Sequence, residues 1–216
     1  PTKGPKGVKI HFGHYHGQIM SESVAAFVLA WARGFFRPEL KKGAWPRTAL
    51  SDKCYDVAGT KAVIVGYGNV GRAIGAKLAA MGVEAYGLTR HGIFHGNRTI
   101  EQSNIRTILR DADWLVLALP STTGTDDFLD AKLIRKLPRK CVVINVGRGN
   151  AVDERALYAA LKSKRIAGAY LDVRKHEPSA TVLEAPGYVK GLADLPNCIV
   201  MPHASAFSPR YLRMCF

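Results

Sequence analysis

The stretch Ala62-Val63-Ile64-Val65-Gly66-Tyr67-Gly68-Asn69-Val70-Gly71 decides the fold. Four apolar residues in a row predict a strand buried on both faces. The glycines that follow have the spacing GxGxxG, and residues 69–81 have a helical pattern. The glycine spacing alone is a weak signal. A strand before it and a helix after it make it the opening of a dinucleotide-binding βαβ unit. Gly66 allows the tight turn, and Gly68 lets a pyrophosphate approach the backbone. Gly71 permits close packing of helix on strand. Asn69 and Val70 open the helix, whose free N–H groups and positive dipole end suit phosphate.

The same rhythm continues outward. Strands are expected at 83–88, 114–119, 141–146, 167–172 and 198–201, with helices at 105–110, 130–136 and 153–163. Short apolar strands alternating with helices predict a doubly wound α/β architecture, a parallel sheet covered on both faces. Upstream, residues 21–36 (SESVAAFVLAWARGFF) predict a helix with Ser21 as its cap. Its apolar residues cover most of the circumference, so it belongs in a core or against a second subunit. Residues 37–60 form a connection rich in Pro, Gly and Lys. Residues 8–12 are strand-like, and the chain closes in the helix-like run SPRYLRMCF.

Composition narrows the class. The 216 residues are 47% hydrophobic, with a mean hydropathy of −0.03, which excludes disorder, collagen and coiled coil. No apolar run is long enough to span a membrane. Cys54, Cys141, Cys198 and Cys215 lack CxxC spacing and are expected to be reduced thiols. No secretory leader pattern is visible, so a cytoplasmic protein is expected, or an organellar one if a targeting segment precedes Pro1. The chain begins without Met, and sequence is expected to be missing at both ends. Lys and Arg number 31 against 17 Asp and Glu, a net charge of +14. Such an excess points to anionic ligands, to nucleic acid, or to solubility alone.

The end of the second strand selects the cofactor. An acidic residue there would bind the ribose 2′-OH of NAD. Here the strand runs into Thr89-Arg90-His91, and Glu84 stands at its other end. Thr89 does not repel a 2′-phosphate, and Arg90 can pair with it. NADP(H) is therefore favoured, with NAD(H) as the second choice.

Three later segments suggest hydride transfer. They are Asn145-Val146-Gly147-Arg148-Gly149, Leu171-Asp172-Val173-Arg174-Lys175-His176-Glu177-Pro178 and Met201-Pro202-His203. Each follows a strand, at the edge where open α/β sheets place ligands. An arginine can bind a carboxylate bidentately and polarise a neighbouring carbonyl. A histidine can deliver a proton as imidazolium, and a paired carboxylate keeps it charged. Taken singly, each of the three residue types is more often structural.

GYGNVG, INVGRG, LDVRKHEP and PH, in that order, give the chain a resemblance to the NAD(P)-dependent D-isomer-specific 2-hydroxyacid dehydrogenases, which include glyoxylate/hydroxypyruvate reductases. The resemblance runs from about Val8 to the C-terminus. It implies a Rossmann-type fold from which most of the family's second (substrate) domain is absent. Residues 1–20 would be a remnant of that domain or hinge, 21–205 the dinucleotide-binding domain, and 206–216 the start of a return helix. It implies that Arg148 holds the substrate carboxylate, that Glu177 partners the histidine and that His203 is the acid–base. Asp172 would hold the nicotinamide carboxamide, and Pro120 and Thr125 would contact the cofactor. The helix ESVAAFVLAWAR resembles the one that forms the family's homodimer interface. The substrate implied is a small 2-keto or 2-hydroxy acid.

The chain departs from that pattern in three places. The N-terminal loop that grips the substrate carboxylate has no counterpart. Arg174-Lys175-His176 replaces an aromatic-containing stretch, and the two cations are expected to face solvent, since pointing inward they would depress the His203 pKa. His11, His14 and His16 have no family role. With no carboxylate or Cys beside them, a loop is expected rather than a metal site. Two alternatives stay open: a non-catalytic dinucleotide-binding scaffold, and a basic component touching RNA through Lys41-Lys42, 132–140 and 162–165. No RNA-binding motif with aromatic platforms supports the latter.

Overall fold

The computed structural model describes residues 15–40, 44–95, 98–100, 105–177 and 189–209. In chain order the elements are α1 (His16–Ala32), α2 (Arg47–Ser51), β1 (Lys61–Val65), α3 (Asn69–Ala80), β2 (Glu84–Thr89), β3 (Gly92–His95), β4 (Arg98–Ile100), α4 (Ile105–Arg110), β5 (Trp114–Leu117), α5 (Ala131–Ile134), β6 (Val142–Asn145), α6 (Glu154–Lys162), β7 (Gly168–Leu171) and β8 (Cys198–Val200).

All eight strands form one sheet in the order β4-β3-β2-β1-β5-β6-β7-β8. From β2 to β8 the pairs are parallel. The strand order reverses at β1, so the crevice for a ligand lies beyond the carboxyl ends of β1 and β5. Side chains alternate across the strands and feed two cores. Ile64, Val116 and Ile144 meet Phe27, Val28, Ile74 and Leu78 on the side of α1 and α3. Val63, Leu115, Leu117 and Val143 meet Ile108, Leu157 and Leu161 on the side of α4 and α6.

Two expectations need correction. The sheet is not wholly parallel: β3 and β4 turn back antiparallel beside β2, with Thr89 opposite Gly92. Aromatic packing holds this hairpin to the glycine turn. Phe94 of β3 stacks on Tyr67 at 6.2 Å, and the Arg72 guanidinium lies over both rings at 5.4 and 5.8 Å. Second, α1 begins at His16, and Ser21 is not its cap. The Ser21 hydroxyl donates back to Gln18 O at 2.6 Å, inside the helix. Within a single chain α1 is covered on one side only, so either a core or a second-subunit contact remains compatible with its apolar pattern. Leu29 is 44% exposed, while Val24 and Val28 are fully covered. The connection at 37–60 contains the short α2, none of whose residues is buried.

The expected strand at 8–12, His11, His14 and most of the closing helix at 206–216 lie outside the described residues. His16 is the first residue of α1. Among the described residues no helix is long and apolar enough to cross a membrane, and no cluster of His, Cys, Asp and Glu is placed to hold a metal ion. Cys54, Cys141 and Cys198 are free thiols, and Cys215 lies outside the described residues.

Candidate active site

The glycine turn is shaped by what its residues lack. Gly66 has φ +92, and a Cβ there would lie 2.5 Å from Ala118 O. A Cβ on Gly71 would lie 2.3 Å from Gly66 O. Both positions are closed to a side chain. Gly68 is different: nothing lies within 4 Å of where its Cβ would be, and the space is open. It is also the N-cap of α3, so the first turn of that helix, with its positive dipole end, begins there. An open concavity over a helix N-terminus fits the pyrophosphate of a dinucleotide.

The end of β2 forms the neighbouring wall. Thr89 Oγ1 accepts from His91 N at 3.1 Å and lies 3.2 Å from Gly92 O, so this hydroxyl braces the hairpin turn. Arg90 and His91 occupy the turn and are exposed. Glu84 lies at the start of β2, four residues and a strand length away from Leu88. On the other side, Pro120 and Thr125 bracket the loop after β5. Thr125 Oγ1 accepts from Thr122 N at 3.0 Å and lies 2.8 Å from Pro120 O. These two contacts close the loop into a small ring against the carboxyl edge.

The corner that holds His203 is built from side chains. His203 Nδ1 lies 3.0 Å from Glu177 Oε2. The side chains are 48% and 41% exposed, and an ion pair that open contributes at most about 1 kcal/mol. The pair therefore does not hold itself in place. Asp172, only 1% exposed, does the holding. Its Oδ1 accepts from Ala204 N at 2.9 Å and Ser205 N at 3.0 Å. Its Oδ2 accepts the Ser205 hydroxyl, and its carbonyl accepts His203 N at 2.8 Å. This clamp keeps His203 at φ +55, a left-handed conformation costly to a side chain with a Cβ. Glu177 is steadied by Arg174 N, which donates to Oε1 at 3.3 Å.

Arg148 reaches the same edge from β6. Asn145, fully buried, organises its turn: Oδ1 accepts from Gly147 N and Nδ2 donates to Arg148 O, both at 3.1 Å. Gly147 lies against the backbone of Leu119, where a Cβ would come within 2.6 Å. Gly149 lies against Arg174, where a Cβ would come within 1.9 Å of the carbonyl oxygen. The turn is thus wedged between the β5 and β7 loops. The Arg148 guanidinium is turned onto its own loop and donates to Gly147 O at 2.7 Å.

Arg174 corrects the sequence expectation. Instead of facing solvent it is 5% exposed and forms a two-pronged pair with Glu154, Nε to Oε1 at 2.7 Å and Nη2 to Oε2 at 2.8 Å. Glu154 Oε1 also accepts from Lys175 N at 2.9 Å. The arginine's charge is therefore matched where it lies. Lys175 is exposed and pairs with Asp127 at 2.8 Å, which raises the lysine pKa. The Arg174–Glu154 pair is thus a buried ion pair that ties the Glu177 loop to the start of α6.

Residues 25–205 match the family model described as D-isomer specific 2-hydroxyacid dehydrogenase, NAD binding domain. The chain belongs to the D-isomer-specific 2-hydroxyacid dehydrogenase family. Among its relatives in this family is the glycerate dehydrogenase of Methylorubrum extorquens, 30% identical over 91% of this chain and 61% of that protein. The glyoxylate reductase of Korarchaeum cryptofilum is 33% identical over 88% of this chain and 58% of the relative. A solved 2-hydroxyacid dehydrogenase structure, the NADPH-dependent glyoxylate/hydroxypyruvate reductase of Sinorhizobium meliloti in complex with NADP and sulfate, superposes with a TM-score of 0.79 at 30% identity. It is covered over 63% of its length, against 95% of this chain. The chain thus spans about three fifths of these dehydrogenases.

Four site residues escaped sequence reasoning. Asn145 carried a usable signal, a polar residue closing an otherwise apolar strand. Ser205, Glu154 and the buried role of Arg174 carried none, because each acts on a partner 20 to 33 residues away.

Proposed function

We propose that this domain carries the cofactor site and the acid–base pair of a reductase that converts a small 2-keto acid, glyoxylate or hydroxypyruvate, to the 2-hydroxy acid with NADPH. The observation that carries it is the His203–Glu177 contact of 3.0 Å, held at the carboxyl edge beside the open glycine cradle. The bound nicotinamide would supply the hydride. Glu177, accepting from Nδ1–H, would stabilise the imidazolium of His203, whose Nε2–H would then protonate the carbonyl oxygen. Arg148 would swing from Gly147 O to the substrate carboxylate, trading a neutral acceptor for a charged one. Asp172 has both carboxylate oxygens committed to residues 204 and 205, which supports a positioning role beside any contact with the nicotinamide.

Preference for NADPH rests on Thr89 and Arg90 at the end of β2 and on Glu84 lying at its far end. Pro120, Thr125 and Thr89 would act through the loops they brace. We take 21–205 as the cofactor domain, 1–20 and 206–216 as its links to a substrate domain, and α1 as a homodimer contact. Leu29 at 44% and Phe35 at 69% exposure leave apolar surface there for a second copy. NADPH consumption with glyoxylate and with hydroxypyruvate tests the proposal, and His203→Ala should abolish it. NADPH binding without turnover of either acid would leave a cofactor-binding scaffold instead. Arg90→Asp should weaken NADPH relative to NADH, and an unchanged ratio would overturn the cofactor assignment.

A further inference from the structure

A cavity of about 740 Å³ opens at the amino edge of the sheet, at the opposite ends of the strands from His203. Its lining comes from the residues before β5, β6, β7 and β8 and from the segment after α1. Two chemistries meet in it. Trp31, Phe36 and Tyr55 give it aromatic walls. Arg37, Arg139, Lys140, Lys162 and Lys164 bring five cations to the same cavity.

Of these charges only Lys140 has a carboxylate partner among the described residues. Asp113 is the acidic lining residue, and both its oxygens are committed: Oδ1 to Lys140 Nζ at 2.8 Å and Oδ2 to Lys61 N at 2.8 Å. Glu39, near Arg37, is taken by Lys53. Among the described residues no carboxylate is in ion-pair contact with Arg37, Arg139, Lys162 or Lys164. Lys162 has an ordinary role, since it lies in the last turn of α6 and over the Tyr158 ring at 5.6 Å. Lys164 does not. It has φ +54, just past the helix end, where glycine fits without strain. Asp127, Lys164 and His203 are the non-glycine residues with positive φ among those described, and the lysine lines this cavity.

We propose that the cavity binds a small aromatic phosphate monoester, its ring against the aromatic walls and its phosphate among Arg139, Lys162 and Lys164. The volume lies within the roughly 300–1,000 Å³ of small-molecule sites. Lysine and arginine are the usual partners of phosphate, and an apolar wall beside them selects a ligand with a flat apolar body. Part of the net charge thereby acquires a use that the cofactor and a keto acid do not supply. The site is separate from the glycine cradle and is independent of the proposed reaction.

Calorimetric titration of the full chain with 1-naphthyl phosphate at low salt tests this, with and without saturating NADPH. One saturable site per chain is expected, with an affinity unchanged by NADPH. Neither 1-naphthol nor inorganic phosphate should match it. Lys164→Gly removes a charge while relieving the backbone, so the variant should melt no lower than the parent. It should bind about three- to tenfold more weakly, as befits one partly exposed charged contact. Absence of saturable binding overturns the proposal, as does displacement by NADPH or wild-type affinity in Lys164→Gly. So does a short RNA that competes more strongly than the naphthyl ester, since the cavity would then be part of a nucleic-acid surface.

Discussion

The glycine cradle and the acid–base corner share one sheet edge but are made in opposite ways. The cradle is defined by missing side chains: Gly66 and Gly71 are closed to a Cβ, and Gly68 leaves open space over the start of α3. The corner is defined by buried polar side chains, Asn145, Asp172 and the Arg174–Glu154 pair, that hold exposed ones in place. A phosphate site can be made of backbone N–H groups and a dipole. A proton-transfer site needs a histidine at one position and orientation, and an open ion pair is too weak to fix it.

If that contrast holds, His203→Ala strikes the chemistry and spares the cradle. Reductase turnover should fall by about 10²- to 10⁴-fold, the usual contribution of a general acid. NADPH affinity, read by its fluorescence, should stay within about twofold. A parallel loss of NADPH binding would mean that the two regions are one unit. The next largest effect should come from Arg174→Leu, which strands Glu154 in the core. Removing one member of a buried pair costs roughly 3–5 kcal/mol, whereas Arg174→Leu with Glu154→Leu should recover most of it. Urea melts measure both. If the double variant recovers stability but not turnover, the pair serves to position Glu177. If it recovers both, the pair is structural only.

The two regions also differ in how far the sequence reveals them. The cradle is largely local: strand, glycines and helix lie within 61–80, and what reaches the turn from outside, Leu88 O accepting from Gly66 N and Tyr67 N, and Ala118 O against Gly66, comes from the two neighbouring strands. The sheet's parallel strands were legible for the same reason, as each is a short apolar run. The corner is assembled from the three connections after β6, β7 and β8. Asp172 meets Ser205 across 33 residues and Arg174 meets Glu154 across 20, so no window of sequence contains both partners. Arg174 was therefore expected at the surface, by the ordinary habit of arginine. The β3–β4 hairpin has no such continuous apolar run, and it is held by Phe94 on Tyr67.

Within the cradle, two glycines should separate shape from function. Gly71→Ala places a Cβ 2.3 Å from a backbone oxygen and should cost about 1–3 kcal/mol of stability. Gly68→Ala meets nothing within 4 Å and should leave the melt unchanged. Its methyl group would instead enter the space proposed for the pyrophosphate, and NADPH affinity should drop about tenfold or more. Equal affinity in Gly68→Ala and the parent would show that the open space is not the phosphate site.

The smallest effect is expected from pH, and it falls on the corner's strands. Cys141 stands just before β6 and Cys198 begins β8, the strands that lead to Arg148 and His203. Burial pushes both thiols up to about 12 from an ordinary value of 9.0. The folded protein thus keeps both protonated while the unfolded chain releases their protons above pH 9. The thiols' contribution to stability is intact below pH 9 and is lost as pH rises from 9 toward 12. Between pH 8 and pH 10 each thiol should remove about 1 kcal/mol, and the Cys141→Ala, Cys198→Ala variant should lose correspondingly less than the parent. Cys54 lies between α2 and β1, is only partly buried and has its Sγ 3.3 Å from Arg33 O, so it should react with iodoacetamide at pH 8 while the other two stay protected. Rapid labelling of Cys141 or Cys198 under those conditions would mean that β6 or β8 opens locally. The corner would then depend on the substrate or the cofactor to close it, whereas the cradle is fixed in advance by its own backbone.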